Sequence, residues 1–299
     1  MTTSATTSAI FTDAVALEKA EPEHFDLAFT AVTQPCPWPK AYGGDLVAAA
    51  AAAAMRSVTD GKTLHSMHSY FLRPADIGAQ VRYEVELLRD GRGYSTRQVR
   101  GYQNGKPLYV ALANFAAGEP GGSYRAETTG LASPEDLPSS EAFLAERSGG
   151  TMTDESKRYW MQGRSFDMRH VPGPVYLAVE GEKVPHQAVW VKPFDPLRPV
   201  DGLTDAQRDL AALAYVCDYT ILEPVLRVLD LPWARPGLVT ASLDHAMWFH
   251  REGPVDDWLL YAQEAVAADS GRGLGLGRFF TRDGLHLATV AQEGMIRAS

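Results

Sequence analysis

Gly43-Gly44-Asp45-Leu46-Val47, then seven consecutive alanines from Ala48 to Ala54, then Met55, is the stretch from which the fold can be read. Alanine is the strongest helix former, so the run predicts a helix. It is apolar all round, and such a helix has to be buried on every side rather than laid on a surface. Its small side chains allow other backbone to approach closely. Working outward, strand-like runs follow at Leu64 to Arg73, Val81 to Arg89, Tyr94 to Gln103 and Leu108 to Phe115, with Asn104-Gly105 as a tight-turn signal between the last two. Before the helix lie a short strand from His24 and a loop holding Pro35, Pro37 and Pro39. Residues 1–20 carry little periodicity and read as a loose arm ending in a short helix.

The second half repeats this plan. Strand-like Phe166 to Val171 and Gln187 to Lys192 precede a helix opened by the capping-box sequence Thr204-Asp205-Ala206-Gln207. Strands are expected at Val239 to His250, Trp258 to Ala268, Leu274 to Thr281 and Leu285 to Glu293. Phe71-Leu72-Arg73 matches Phe249-His250-Arg251, Gly91-Arg92-Gly93 matches Gly271-Arg272-Gly273, and Asn104-Gly105 matches Asp283-Gly284, at a nearly constant offset. Several matches in one order at one spacing argue for internal duplication. The fold class is therefore α+β, with two tandem units that each wrap an antiparallel sheet around a central helix, a double hotdog. The bland alternative is a generic α+β protein with two similar layers. The expected boundaries are an arm at 1–20, a first domain at 21–117, a Gly/Pro/Ser/Glu-rich linker at 118–157 and a second domain at 158–299.

Composition narrows the function. A chain of 299 residues with 45% hydrophobic content is ample for two cores. Its net charge of −9 argues against nucleic acid as a partner. Cys36 and Cys217 are too few for a disulfide framework or a structural zinc site, which fits a reducing cytoplasm. The apolar run from Leu46 to Met55 is about half of what a bilayer crossing needs, so no membrane insertion is expected, and the start lacks the regions of a signal peptide.

Tyr42-Gly43-Gly44, Leu64 through Pro74, Arg89-Asp90-Gly91, Gln103 through Pro107, Leu243 through Arg251, Trp258-Leu259-Leu260-Tyr261 and Val290-Ala291-Gln292-Glu293-Gly294 resemble the signatures of the acyl-CoA thioesterase II family of double-hotdog enzymes. The resemblance runs over most of the chain, outside the linker and the first 20 residues. It implies hydrolysis of acyl-CoA to a carboxylic acid and CoA, with CoA part of the substrate and no separate cofactor. It also implies a catalytic Asp on the second-domain helix, a Ser or Thr on the next strand and a Gln on the last, which carry over to Asp218, Ser242 and Gln292. It puts His65 near the active site. Asp45 stands where the family commonly has Gln, and Ser242 where it often has Thr.

The residues support this in part by themselves. Leu210, Ala214, Cys217 and Ile221 form an inward stripe at helical spacing, and Asp218 follows Ala214 by four and so points to the apolar side. Desolvation there would raise its pKa and strengthen it as a base; the alternative is an Asp that caps a helix break. Gln292 shares a strand face with Ala288 and Val290. Gly44, at a helix start, is the expected oxyanion donor, although the two glycines also suit a tight turn into a packed helix. Asp45 is expected to be acidified by the helix dipole and to serve helix stability and substrate placement. His65 and His68, like His245 and His250, face opposite sides of their strands, so no metal site is expected. No Gly-x-Ser-x-Gly elbow is present. Two other functions remain open: an enoyl-CoA hydratase or dehydratase, prompted by the spacing of Asp60 and His65, and a non-catalytic acyl-CoA-binding protein. Self-association into a homodimer or homotetramer is expected from exposed sheet edges or faces.

Overall fold

The computed structural model describes residues 8–128, 131–147 and 152–298. The first half contains α1 (Ser8–Ala14), β1 (Glu18–Ala20), β2 (Leu27–Val32), α2 (Gly43–Arg56), β3 (Thr63–Phe71), β4 (Gln80–Asp90), β5 (Tyr94–Gln103) and β6 (Lys106–Ala116). The alanine run is α2, and every residue from Gly44 to Met55 is buried. Tyr42 sits in extended backbone at its start. The helix stops at Ser57, whose amide bonds back to the Ala54 carbonyl, while the Val58 amide takes that of Met55.

The second half contains α3 (Ser140–Ala145), α4 (Asp154–Gln162), β7 (Phe166–Val171), β8 (His186–Pro193), α5 (Asp205–Val216), α6 (Glu223–Val228), β9 (Leu238–Ser242), β10 (Asp244–Phe249), β11 (Leu259–Asp269), β12 (Arg272–Thr281) and β13 (His286–Ala298). One antiparallel sheet runs through the molecule in the order β1-β2-β4-β5-β6-β3-β10-β13-β12-β11-β8-β7, with β9 on β13. The two halves meet where β3 pairs with β10, with Met67 opposite Met247. Both of these methionines are fully buried, and one apolar core takes in α2, α5 and the inner faces of both half-sheets. This is the double hotdog read from the sequence.

Three local expectations are corrected. The helix opened by Thr204 has both bonds of its capping box, but it ends at Val216 and gives way to a 3-10 turn at Cys217–Tyr219. Asp218 therefore stands on a break and not on the helix. The single strand expected from Val239 to His250 is two, because Leu243 leaves the ladder: its amide bonds to the Glu293 carbonyl, and the Asp244 carboxylate takes the Glu293 amide at 2.8 Å. The arm is not loose from Ser8 onward. Phe11 is fully buried, edge-on to Tyr215 at 5.2 Å and Phe166 at 6.2 Å, and its amide donates to Ser165 Oγ. A lone Phe in a polar stretch gives no periodic signal, and its partners lie more than a hundred residues away. Within the expected linker, Phe143 and Leu144 of α3 join Trp160 and Tyr176 in a small core of their own.

Candidate active site

Three elements of the second half bring Asp218, Ser242 and Gln292 together. The 3-10 turn after α5 carries Asp218, the last residue of β9 is Ser242, and Gln292 lies on β13. Gln292 Nε2 donates to Asp218 Oδ1 at 2.6 Å and to Ser242 Oγ at 2.9 Å, and Ser242 Oγ donates to the same Oδ1 at 3.1 Å. Across from Gln292 in the ladder stands Gly275. A Cβ there would lie 2.2 Å from the Ile221 carbonyl oxygen, so this glycine lets the segment after Asp218 settle onto the sheet.

The first half contributes the other wall. A Cβ at Gly43 would lie 2.7 Å from Asp218 Oδ2 and 3.2 Å from the Phe71 ring, while one at Gly44 would meet the Tyr42 ring and, at 2.5 Å, the Tyr215 carbonyl. Both glycines are thus required by close approach at the start of α2. Burial raises the Asp218 pKa above the ordinary carboxylate value, and the bonds from Gln292, Ser242 and the Gly44 amide pull it part of the way back. The Gly44 amide is therefore directed at the carboxylate. Gln292 Oε1 is buried and has no partner among the described residues.

Asp45 also lies in this first turn, but its character differs from the expectation. Burial pushes its pKa up to about 7; the Gln34 amide opposes this, and the Asp218 charge adds to it. Its Oδ2 accepts the Gln34 N–H at 2.7 Å, and Oδ1 has no partner among the described residues. The favourable field of the helix terminus is outweighed because the carboxyl is almost wholly desolvated, and terminal dipole effects amount to only about 1 kcal/mol.

His65 is not brought to this place. It occupies the bulge of β3 between Leu64 and Ser66, edge-on to Tyr94 at 6.0 Å. Phe71, which does reach Gly43, is at the other end of the strand, roughly 20 Å away at about 3.3 Å per residue. Asp60 is exposed and paired with Lys62, so Asp60 and His65 form no centre with the triad. Tyr42 is a site residue that motif reading noted without assigning it a role: its phenol donates to the Tyr215 carbonyl at 2.6 Å.

A model of the acyl-CoA thioesterase family matches residues 158–295, and one of the acyl-CoA thioesterase N-terminal domain matches residues 34–116. The chain is 31% identical to acyl-CoA thioesterase 2 of Haemophilus influenzae over 279 residues, 92% of this chain and 93% of that relative. The chain belongs to the acyl-CoA thioesterase family. It is also similar to the human acyl-coenzyme A thioesterase 8, at 32% identity over 87% of this chain and 82% of that one. Among solved structures it resembles acyl-CoA thioesterase II from Mycobacterium marinum, with 30% identity, a TM-score of 0.75, and coverage of 97% of this chain and 98% of that one. This is a family of thioester hydrolases on the double-hotdog fold. Among the described residues no helix is long and apolar enough to cross a membrane.

Proposed function

We propose that this chain hydrolyses acyl-CoA to a carboxylic acid and CoA, with Asp218 as general base for a water held by Ser242 and Gln292. The observation that carries the reading is the convergence of two donors on Asp218 Oδ1 while Oδ2 faces the double glycine. Asp218 Oδ1 is saturated, so the carboxylate keeps one orientation. Gln292 Oε1, without a partner among the described residues, accepts one hydrogen of the water while Asp218 Oδ2 removes the other. The oxygen attacks the thioester carbonyl carbon, and the positive end of the α2 dipole favours the developing oxyanion, while the Gly44 amide, expected from the sequence to serve the oxyanion, is directed at Asp218 instead. The leaving thiolate has a conjugate acid near pKa ~8.5, so it departs without a strong general acid.

The buried Asp218 is a suitable base because desolvation raises its proton affinity, while the bonds from Gln292, Ser242 and the Gly44 amide favour its charged form. A thiol-release screen over short, medium, long and branched acyl-CoAs tests the reading. Asp218→Asn should lower kcat by about 10² to 10⁴ while retaining acyl-CoA binding; wild-type turnover in this variant would remove Asp218 as the base. Loss of enoyl absorbance without thiol release would mean hydration instead, and binding without any turnover would mean a non-catalytic module. The two free cysteines, one fully buried, are compatible with a reducing cytoplasm as the working compartment.

A further inference from the structure

The end of α5 is an unusual place for a base, because a helix terminus leaves carbonyls without amide partners and a broken end is free to fray. Here four carbonyls at this end have donors, three of them side chains. Leu213 is bonded by the Cys217 amide and Ala214 by the Cys217 thiol at 3.3 Å. The Tyr42 phenol takes the Tyr215 carbonyl at 2.6 Å, and the Tyr261 phenol takes that of Cys217 at 3.3 Å. One phenol comes from each half of the molecule. Tyr42 makes no side-chain cap to its own helix, so its hydroxyl is spent entirely on the opposite one. Its ring lies flat on Tyr219 at 4.3 Å and 15°, on the residue next to Asp218, and Tyr42 immediately precedes Gly43.

We propose that Tyr42 is a positioning residue that sets the distance between the double glycine and the Asp218 carboxylate. This rests on the reading of Asp218 as the base. Tyr42 grips the turn at two points, the Tyr215 carbonyl before Asp218 and the Tyr219 ring after it, and its own backbone leads into Gly43 and Gly44. Anything that loosens this grip lets the base drift from the first-half wall. Displacements of about 1 Å in such a site cost on the order of 10²-fold in rate. The drift has a second consequence. The Gly44 amide helps to hold the Asp218 pKa down, so separation from it makes the carboxyl less acidic.

The test is Tyr42→Phe, which keeps the ring stack and removes the 2.6 Å bond. Expected are a kcat lower by about tenfold or more, a KM within about twofold, and an acid limb of the pH–rate profile displaced to higher pH. The titratable groups within reach of Asp218 are Asp45 and Tyr42 on the α2 side, Tyr109 on β6, Cys217 in the turn and Tyr261 on β11, with His245 of β10 behind Cys217. Asp45, at about 7, would also shape that limb, so Tyr42→Phe is measured again in an Asp45→Asn background, where the displacement should persist. Tyr261→Phe should give a smaller effect in the same direction, and it carries the test if Tyr42→Phe does not fold. A kcat that falls only in proportion to folded protein, with the pH profile unmoved, overturns the proposal. Absence of thiol release by the wild type instead overturns the thioesterase reading beneath it.

Discussion

Asp45 and Asp218 are both buried carboxyls, both with raised pKa values, and their partners decide their roles. Asp218 receives two side-chain donors and a backbone amide, so its charge is supported where it is needed. Asp45 has one amide on Oδ2 and, among the described residues, nothing on Oδ1, and with its pKa pushed up to about 7 it shares its time near neutral pH between neutral and charged forms. Asp45→Asn should therefore change kcat by less than about tenfold, well short of the loss of a general base, in steady-state thiol-release assays. It should also alter the pH dependence of stability. The folded chain holds the Asp45 proton up to about pH 7, against 3.8 for an ordinary aspartate, so its favourable contribution is complete below about pH 4 and is lost as pH rises through 7. The melting temperature of Asp45→Asn relative to wild type should thus be higher at pH 8 than at pH 5. An equal difference at both pH values would contradict a raised Asp45 pKa.

At the scale of elements, the site is made by terminations: the start of α2, the end of α5 and the kink between β9 and β10. Each departs from a regular pattern so that one polar group can leave the core packing and meet another. Gly43 shows how little room remains, since a Cβ would sit 2.7 Å from Asp218 Oδ2. Gly43→Ala should keep the helix, because alanine is the better helix former by about 1 kcal/mol, while displacing the carboxylate. We expect at least a tenfold loss of kcat with the melting temperature little changed, checked by kinetics beside thermal denaturation. Wild-type turnover in this variant would mean that Asp218 Oδ2 is not constrained where the structure has it. The helix termini could be approximated from caps and propensities. The break after Val216 was legible only as the alternative reading of Asp218, because the phenols of Tyr42 and Tyr261 that bond its carbonyls come from distant segments.

For the whole molecule, the continuous sheet leaves a patch on its outer face. Tyr70, Leu112 and Trp248 are 61%, 50% and 36% exposed, and His68, edge-on to Trp248 at 5.0 Å, lies among them on neighbouring strands. Large exposed side chains gathered on one face mark association surfaces more often than scattered ones do. We expect a homodimer or homotetramer in solution by light scattering at micromolar concentration, and an aspartate at Trp248 should shift it toward monomer. A strictly monomeric wild type would rule this out.

By itself the sequence determined that a fully apolar helix needs a wrapping sheet, that the unit occurs twice, and, through motif resemblance, which carboxylate, hydroxyl and amide to examine. The first two are local properties, carried by composition, period and spacing along the chain. Only the tertiary structure decided that His65 stands a strand length from the triad, that Phe11 of the arm is core, that Asp45 is desolvated rather than acidified, and that Tyr42 closes one half of the site onto the other. Each of these depends on groups distant in sequence. Desolvation and hydrogen bonding act over a few ångströms, and only folding sets which atoms lie within that reach.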